Sequence, residues 1–131
     1  MRIRSTKPEF WQSERIASIP WEITYDGPRP KRVNLVAPMQ SGIEYVYLLF
    51  DATDRLLYVG RSFRPADRFS KHCRRDWWPE VAAVVLVAVR DDPRVGVRRA
   101  YYNPPNVAAF EHAAITELRP LHNIAGRKAV A

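Results

Sequence analysis

A glutamate spaced among apolar residues is where this chain first invites chemistry. Val107, Glu111, Ala114, Ile115 and Leu118 recur at helical intervals, so a helix from about Asn106, a good N-cap, to Leu118 places the Glu111 carboxylate in its apolar stripe. A carboxylate so placed needs a counter-charge, either an arginine such as Arg68 or a bound divalent cation. This helix alone favours the ion pair. Two phenols lie upstream in EYVYLLF and RLLYVG, β-rich runs separated by the turn-forming residues 51–54. With a four-residue loop, Phe50 faces Arg55, and counting inward sets Tyr47 directly opposite Tyr58 on one sheet face, Cβ atoms roughly 5 Å apart. A third group follows: Arg68, His72 and Arg75 share one face of a helix expected over about 65–75. Together these groups suffice for phosphodiester hydrolysis, which requires an activated water, compensation of transition-state charge and help for the leaving oxygen.

Composition points to a polyanionic partner. Lys and Arg total 21 against 14 Asp and Glu, a net charge of +7, and 17 of the cations are Arg. Such a surplus raises encounter rates with nucleic acid, although a bias towards Arg would produce the same balance. Cys73 is the one cysteine, which excludes an internal disulfide and leaves no second thiol to hold zinc. The first residues include Glu9, Gln12, Glu14 and Pro20 rather than an unbroken apolar run, so neither a signal peptide nor a membrane span is expected, and a cytoplasmic protein is.

The elements that must position these groups start with residues 1–40, read as an N-terminal arm. Five prolines there (Pro8, Pro20, Pro28, Pro30, Pro38) argue against any sheet strand. Its Phe10, Trp11, Ile16, Ile19, Trp21 and Ile23 are too apolar for a free linker, so a short helix near 9–17 is expected to dock on the body, residues 41–131. After the hairpin, Gly60 ends the second strand, and Pro65 and Asp67 open the cationic helix, with Phe69, Cys73 and Trp77 on its apolar side. Trp77 and Trp78, which could stack on bases, are more often core between a helix and a buried strand. The β-branched run VAAVVLVAV, residues 81–89, suits a strand buried on both faces and completes a three-stranded sheet. Residues 90–105 are expected to form a loop, either a plain solvated one or one whose Arg98, Arg99, Tyr101 and Tyr102 clamp a nucleic-acid strand.

Taken in order, these segments resemble the GIY-YIG nuclease superfamily over residues 42–124. Tyr45-Val46-Tyr47 stands where that family has its first motif and Tyr58-Val59-Gly60 its second. RSFRPADRFSKH resembles the segment carrying the family's arginine, here Arg68, and a frequent histidine, here His72; FEHAAITELRPLHN resembles its glutamate helix and closing asparagine, here Glu111 and Asn123. YVY departs from the usual GIY, and the 90–105 loop is longer than a minimal member needs; neither removes a catalytic group. The opening residues also resemble the start of some bacteriophage and actinobacterial replication-associated proteins.

The resemblance implies an α/β fold, a small three-stranded antiparallel or mixed sheet flanked by helices, and metal-dependent DNA cleavage. Glu111 would hold one Mg²⁺ or Mn²⁺, Arg68 would grip the scissile phosphate, and Tyr47 or Tyr58 would orient or deprotonate the water, a phenol's ordinary pKa of about 10 being lowered by Arg68, His72 or the metal's water network. Asn123 would position groups by hydrogen bonding. Arg61, Arg64, Lys71, Arg74, Arg75, Arg98 and Arg99 are the expected DNA contacts. A monomer or weak dimer is expected, with the arm available to a protein partner. The rival expectations are a DNA-binding module of this fold that does not cut, and a partner-docking protein with incidental basic charge.

Overall fold

A computed structural model describes residues 8–29, 44–62, 75–90 and 105–123. They form an α/β unit around a four-stranded antiparallel sheet of β1 (Trp21–Pro28), β2 (Glu44–Phe50), β3 (Leu56–Ser62) and β4 (Ala83–Val89), in the order β1-β4-β2-β3. Among the described residues, no helix is long and apolar enough to cross a membrane.

The fourth strand corrects the expectation of three. Proline density argues against a strand only where the prolines fall inside it, and Trp21–Gly27 contains none; Pro20 precedes the strand and Pro28 closes it. β1 also lies at a sheet edge, where missing N–H donors are tolerated. Residues 8–28 are therefore part of the folded unit. A 3-10 turn (Pro8–Gln12) leads into a one-turn helix, α1 (Glu14–Ala17), whose Ser13 cap accepts from the Arg15 N–H. Phe10, Trp11, Ile16 and Ile19 are buried. Phe10, Trp11, Trp21 and Phe110 pack ring to ring at centroid distances of 5.3–5.8 Å. Burying each such side chain contributes about 2 kcal/mol.

The long helix α2 (Pro105–Leu118) covers the same sheet face as these aromatics. Its stripe runs through Val107, Phe110, Ala113 and Ala114, so Phe110 occupies the centre that the spacing assigned to Glu111. Asn106 lies inside the first turn and its amide donates to the Arg90 carbonyl, fastening the helix to the end of β4 instead of capping it. Arg119, at φ 52°, ends the helix in a left-handed residue immediately before Pro120. β4 is buried along its whole length, as its apolar run requires.

Candidate active site at the edge strand

The tyrosine pair is set by the β2–β3 hairpin, and its register differs from the simple count. Asp51 N–H donates to the Arg55 carbonyl, closing a three-residue loop in which Asp54 takes a left-handed φ of 63°. The Asp51 carboxylate accepts from the backbone N–H of Thr53 and Arg55, the Thr53 hydroxyl and Arg55 Nε, at 2.8–3.1 Å. This loop moves the register by one residue. Leu57 is then an extra residue, because Phe50 pairs with Leu56 while Leu49 pairs with Tyr58, and this bulge moves the register by one more. Two single shifts preserve the face. Tyr47 therefore stands opposite Gly60, not Tyr58, and the two phenols are diagonal neighbours on one side, with ring centroids 6.1 Å apart and planes at 20°.

The stack continues past the tyrosines. Trp77 lies 5.4 Å from Tyr58 at 20°, and His122 lies 5.1 Å from Trp77 at 7°. Tyr47 is fully buried, whereas Tyr58, Trp77 and His122 are half-buried. Trp77 and Trp78 pack against the buried cluster of Tyr47, Leu49, Leu57, Val81, Val84 and Leu86 on this face of the sheet; Arg29 covers the Trp78 ring at 5.4 Å. The one sequence signal for His122 is its adjacency to Asn123.

Asn123 is buried and clamps the strand between the two motif residues. Its Oδ1 accepts from Val59 N–H at 2.7 Å and its Nδ2 donates to the Val59 carbonyl at 2.5 Å. Leu121 and His122 donate backbone hydrogen bonds to Leu56 and Leu57. Residues 121–123 thus run along the outer edge of β3 and satisfy groups that an edge strand would otherwise present to solvent.

Glu111 is carried on the opposite face. Strand alternation puts Arg61, which pairs with Val46, on the side covered by α2, and its Nε lies 3.3 Å from Glu111. Arg61 also lies 3.9 Å from Glu44, a buried carboxylate at the start of β2. Glu111 is thus paired with Arg61, one of the expected DNA contacts, while Arg68, the partner expected from sequence, lies outside the described residues. The sequence reading passed over Glu44, though it is the only charged residue in EYVYLLF and shares the Val46, Leu48, Phe50 side of the strand. Arg75 is exposed at a bend. Arg64, Arg68, Lys71, His72, Arg74, Arg98 and Arg99 lie outside the described residues, as do Tyr101, Tyr102 and most of the helix expected over 65–75.

β3 thus separates two sets of groups: Tyr47 and Tyr58 on one side, and Glu44, Arg61 and Glu111 on the other. Among the described residues no three metal-binding side chains cluster. The Glu111 side chain is 23% exposed, so its hard oxygen donors can reach a solvated cation that keeps most of its water, as Mg²⁺ prefers. No protein-family model, curated protein or solved structure matches this chain.

Proposed function

We propose that the chain is a metal-dependent endonuclease of the GIY-YIG type, hydrolysing phosphodiester bonds in DNA. The observation that carries this reading is the convergence of Tyr47, Tyr58 and Asn123 on three consecutive residues of β3. Tyr47 covers Gly60, Asn123 clamps Val59, and Tyr58 stacks beside Tyr47. These residues come from the resembling motifs, and a clamped strand holds the phenols in fixed relation, which positioning of a water requires. Glu111 would hold a Mg²⁺ or Mn²⁺ ion, which would supply charge compensation at the phosphate; because Glu111 and the tyrosines lie on opposite sides of β3, the reading requires the phosphate to sit at the end of that strand, within reach of both. Tyr47 or Tyr58 orients or deprotonates the attacking water, Arg68 binds the scissile phosphate, and the surplus of basic residues draws the DNA in.

One observation favours a second reading, a DNA-binding module that does not cut. The Glu111–Arg61 pair already neutralises the carboxylate. Incubating purified protein with supercoiled plasmid, with Mg²⁺ or Mn²⁺ and with chelator, separates the two. Nicked or linear product that requires the divalent ion supports the nuclease. Salt-dependent retardation of intact plasmid supports the binding module, and absence of both removes nucleic acid as the partner.

A further inference from the structure

Arg29 is an exposed cation held in place without a counter-charge. Its backbone N–H donates to the Ala82 carbonyl at 2.9 Å, extending the β1–β4 ladder one residue past Pro28. The guanidinium is fixed as well: Nη1 donates to the Trp78 carbonyl at 3.1 Å, and the group lies 5.4 Å from the centre of the Trp78 ring. Arg15, Arg55, Arg61 and Arg90 each face a carboxylate at 3.1–3.7 Å. Arg29 pairs with none, although Asp76 and Glu80 flank Trp78 in the chain. Its Nε–Nη2 edge, the side of the fork that suits a pair of oxyanion oxygens, meets no acceptor among the described residues. Ordering an exposed arginine costs side-chain entropy, and here the fold meets that cost before any ligand arrives.

We propose that Arg29, mounted on Trp78, is a contact for the DNA backbone, gripping a phosphate other than the one cleaved. The inference rests on DNA being the partner in the function proposed above. Consecutive Trp77 and Trp78 tie the contact to the tyrosine side of the sheet, since the first stacks on Tyr58 and the second carries Arg29. The separation follows from strand register. Ala88 stands in the row of Tyr45 and Ser62 at the end of β3, whereas Arg29 stands at Ala82, six residues back, about 20 Å along the strand. A cation at that distance adds no charge at the cleaved bond and instead fixes how the duplex lies across the sheet. The net charge of +7 makes a polyanion the matching occupant of an unpaired guanidinium.

The test is fluorescence anisotropy of short labelled duplexes of two unrelated sequences, bound by the full chain in chelator over a series of salt concentrations. Arg29→Gln is expected to weaken binding several-fold on both duplexes and to reduce the slope of log affinity against log salt by about 0.9, the value for one phosphate. Arg29→Lys keeps the charge without the planar fork, so it should hold the wild-type slope and recover part of the affinity. Arg15→Gln removes the same charge on the α2 side, where Arg15 faces Glu117, and should change neither quantity. Thermal unfolding of each variant checks that it is folded, and the lysine variant keeps the test open should the glutamine variant not be. A wild type that binds neither duplex overturns the contact and the DNA reading beneath it. Binding that Arg29→Gln leaves unchanged, that Arg15→Gln weakens equally, or that Arg29→Gln weakens on one sequence alone overturns the contact and leaves the proposed function standing.

Discussion

Tyr47 lies directly across the hairpin from Gly60, and its ring fills the space a side chain there would need. A Cβ on Gly60 would come within 2.5 Å of Tyr47 Cζ. The glycine of the second motif is thus required by packing against the tyrosine of the first. Gly60→Ala should lower stability by about 1–3 kcal/mol, the usual cost of overpacking. In a Tyr47→Leu background most of that cost should disappear. Denaturant titrations of the four proteins provide the cycle, and an equal cost in both backgrounds would assign the glycine requirement to something other than the ring.

Asn123 makes both of its hydrogen bonds to one buried residue, so its replacement leaves a donor and an acceptor of Val59 unpaired. Asn123→Ala should cost about 2 kcal/mol or more. Asn123→Asp should do no better, since a carboxylate supplies no donor for the Val59 carbonyl. Hydrogen exchange at the Val59 amide gives the local readout: it should speed up in both variants before global unfolding does.

The hairpin loop gives the protein one identifiable acid-sensitive contact. Burial raises the Asp51 carboxyl, but the Arg55 and Thr53 N–H groups, the Thr53 hydroxyl and the Arg55 side chain outweigh it and hold the group below its ordinary value. A depressed folded pKa means stability present above the unfolded pKa of about 3.9 and lost as pH falls through the folded value. The stability advantage of wild type over Asp51→Asn should therefore be full at neutral pH and shrink below about pH 4. Thermal unfolding of both proteins across that range checks the sign; a gap that widens on acidification would contradict it.

Much of this fold is legible because it depends on local pattern. β2, β3, β4 and α2 follow from apolar runs and periodicity, and the shared face of Tyr47 and Tyr58 survives because the register moved by two residues. The loop and the Leu57 bulge are harder to read, since an Asp51 side chain that organises five-residue geometry looks in sequence like any turn former. β1 was obscured by counting prolines without their positions, although Pro20 and Pro28 bracket the strand. The Glu111–Arg61 contact depends on which strand end lies under α2, a long-range relation with no local signature. Glu44 was missed for the same reason: its neighbours in space, Arg61 and Glu111, are distant in the chain.

Glu111 is where a structural and a catalytic role separate most clearly. Its partner Arg61 is 27% exposed and also lies near Glu44, so Glu111→Gln does not strand a buried cation. The substitution should cost about 1 kcal/mol or less, the range of solvent-screened pairs, and the protein should remain folded. On the proposed nuclease reading Glu111 holds the cation, so removing its charge should abolish divalent-dependent nicking while sparing DNA binding. Binding should even tighten slightly, because a carboxylate near the phosphate path is gone. Thermal unfolding, plasmid cleavage and DNA retardation on one preparation provide all three readouts. A folded Glu111→Gln protein that nicks plasmid at the wild-type rate would end the role assigned to this carboxylate, and a protein that loses cleavage only by unfolding would return Glu111 to a structural part in holding α2 against β3.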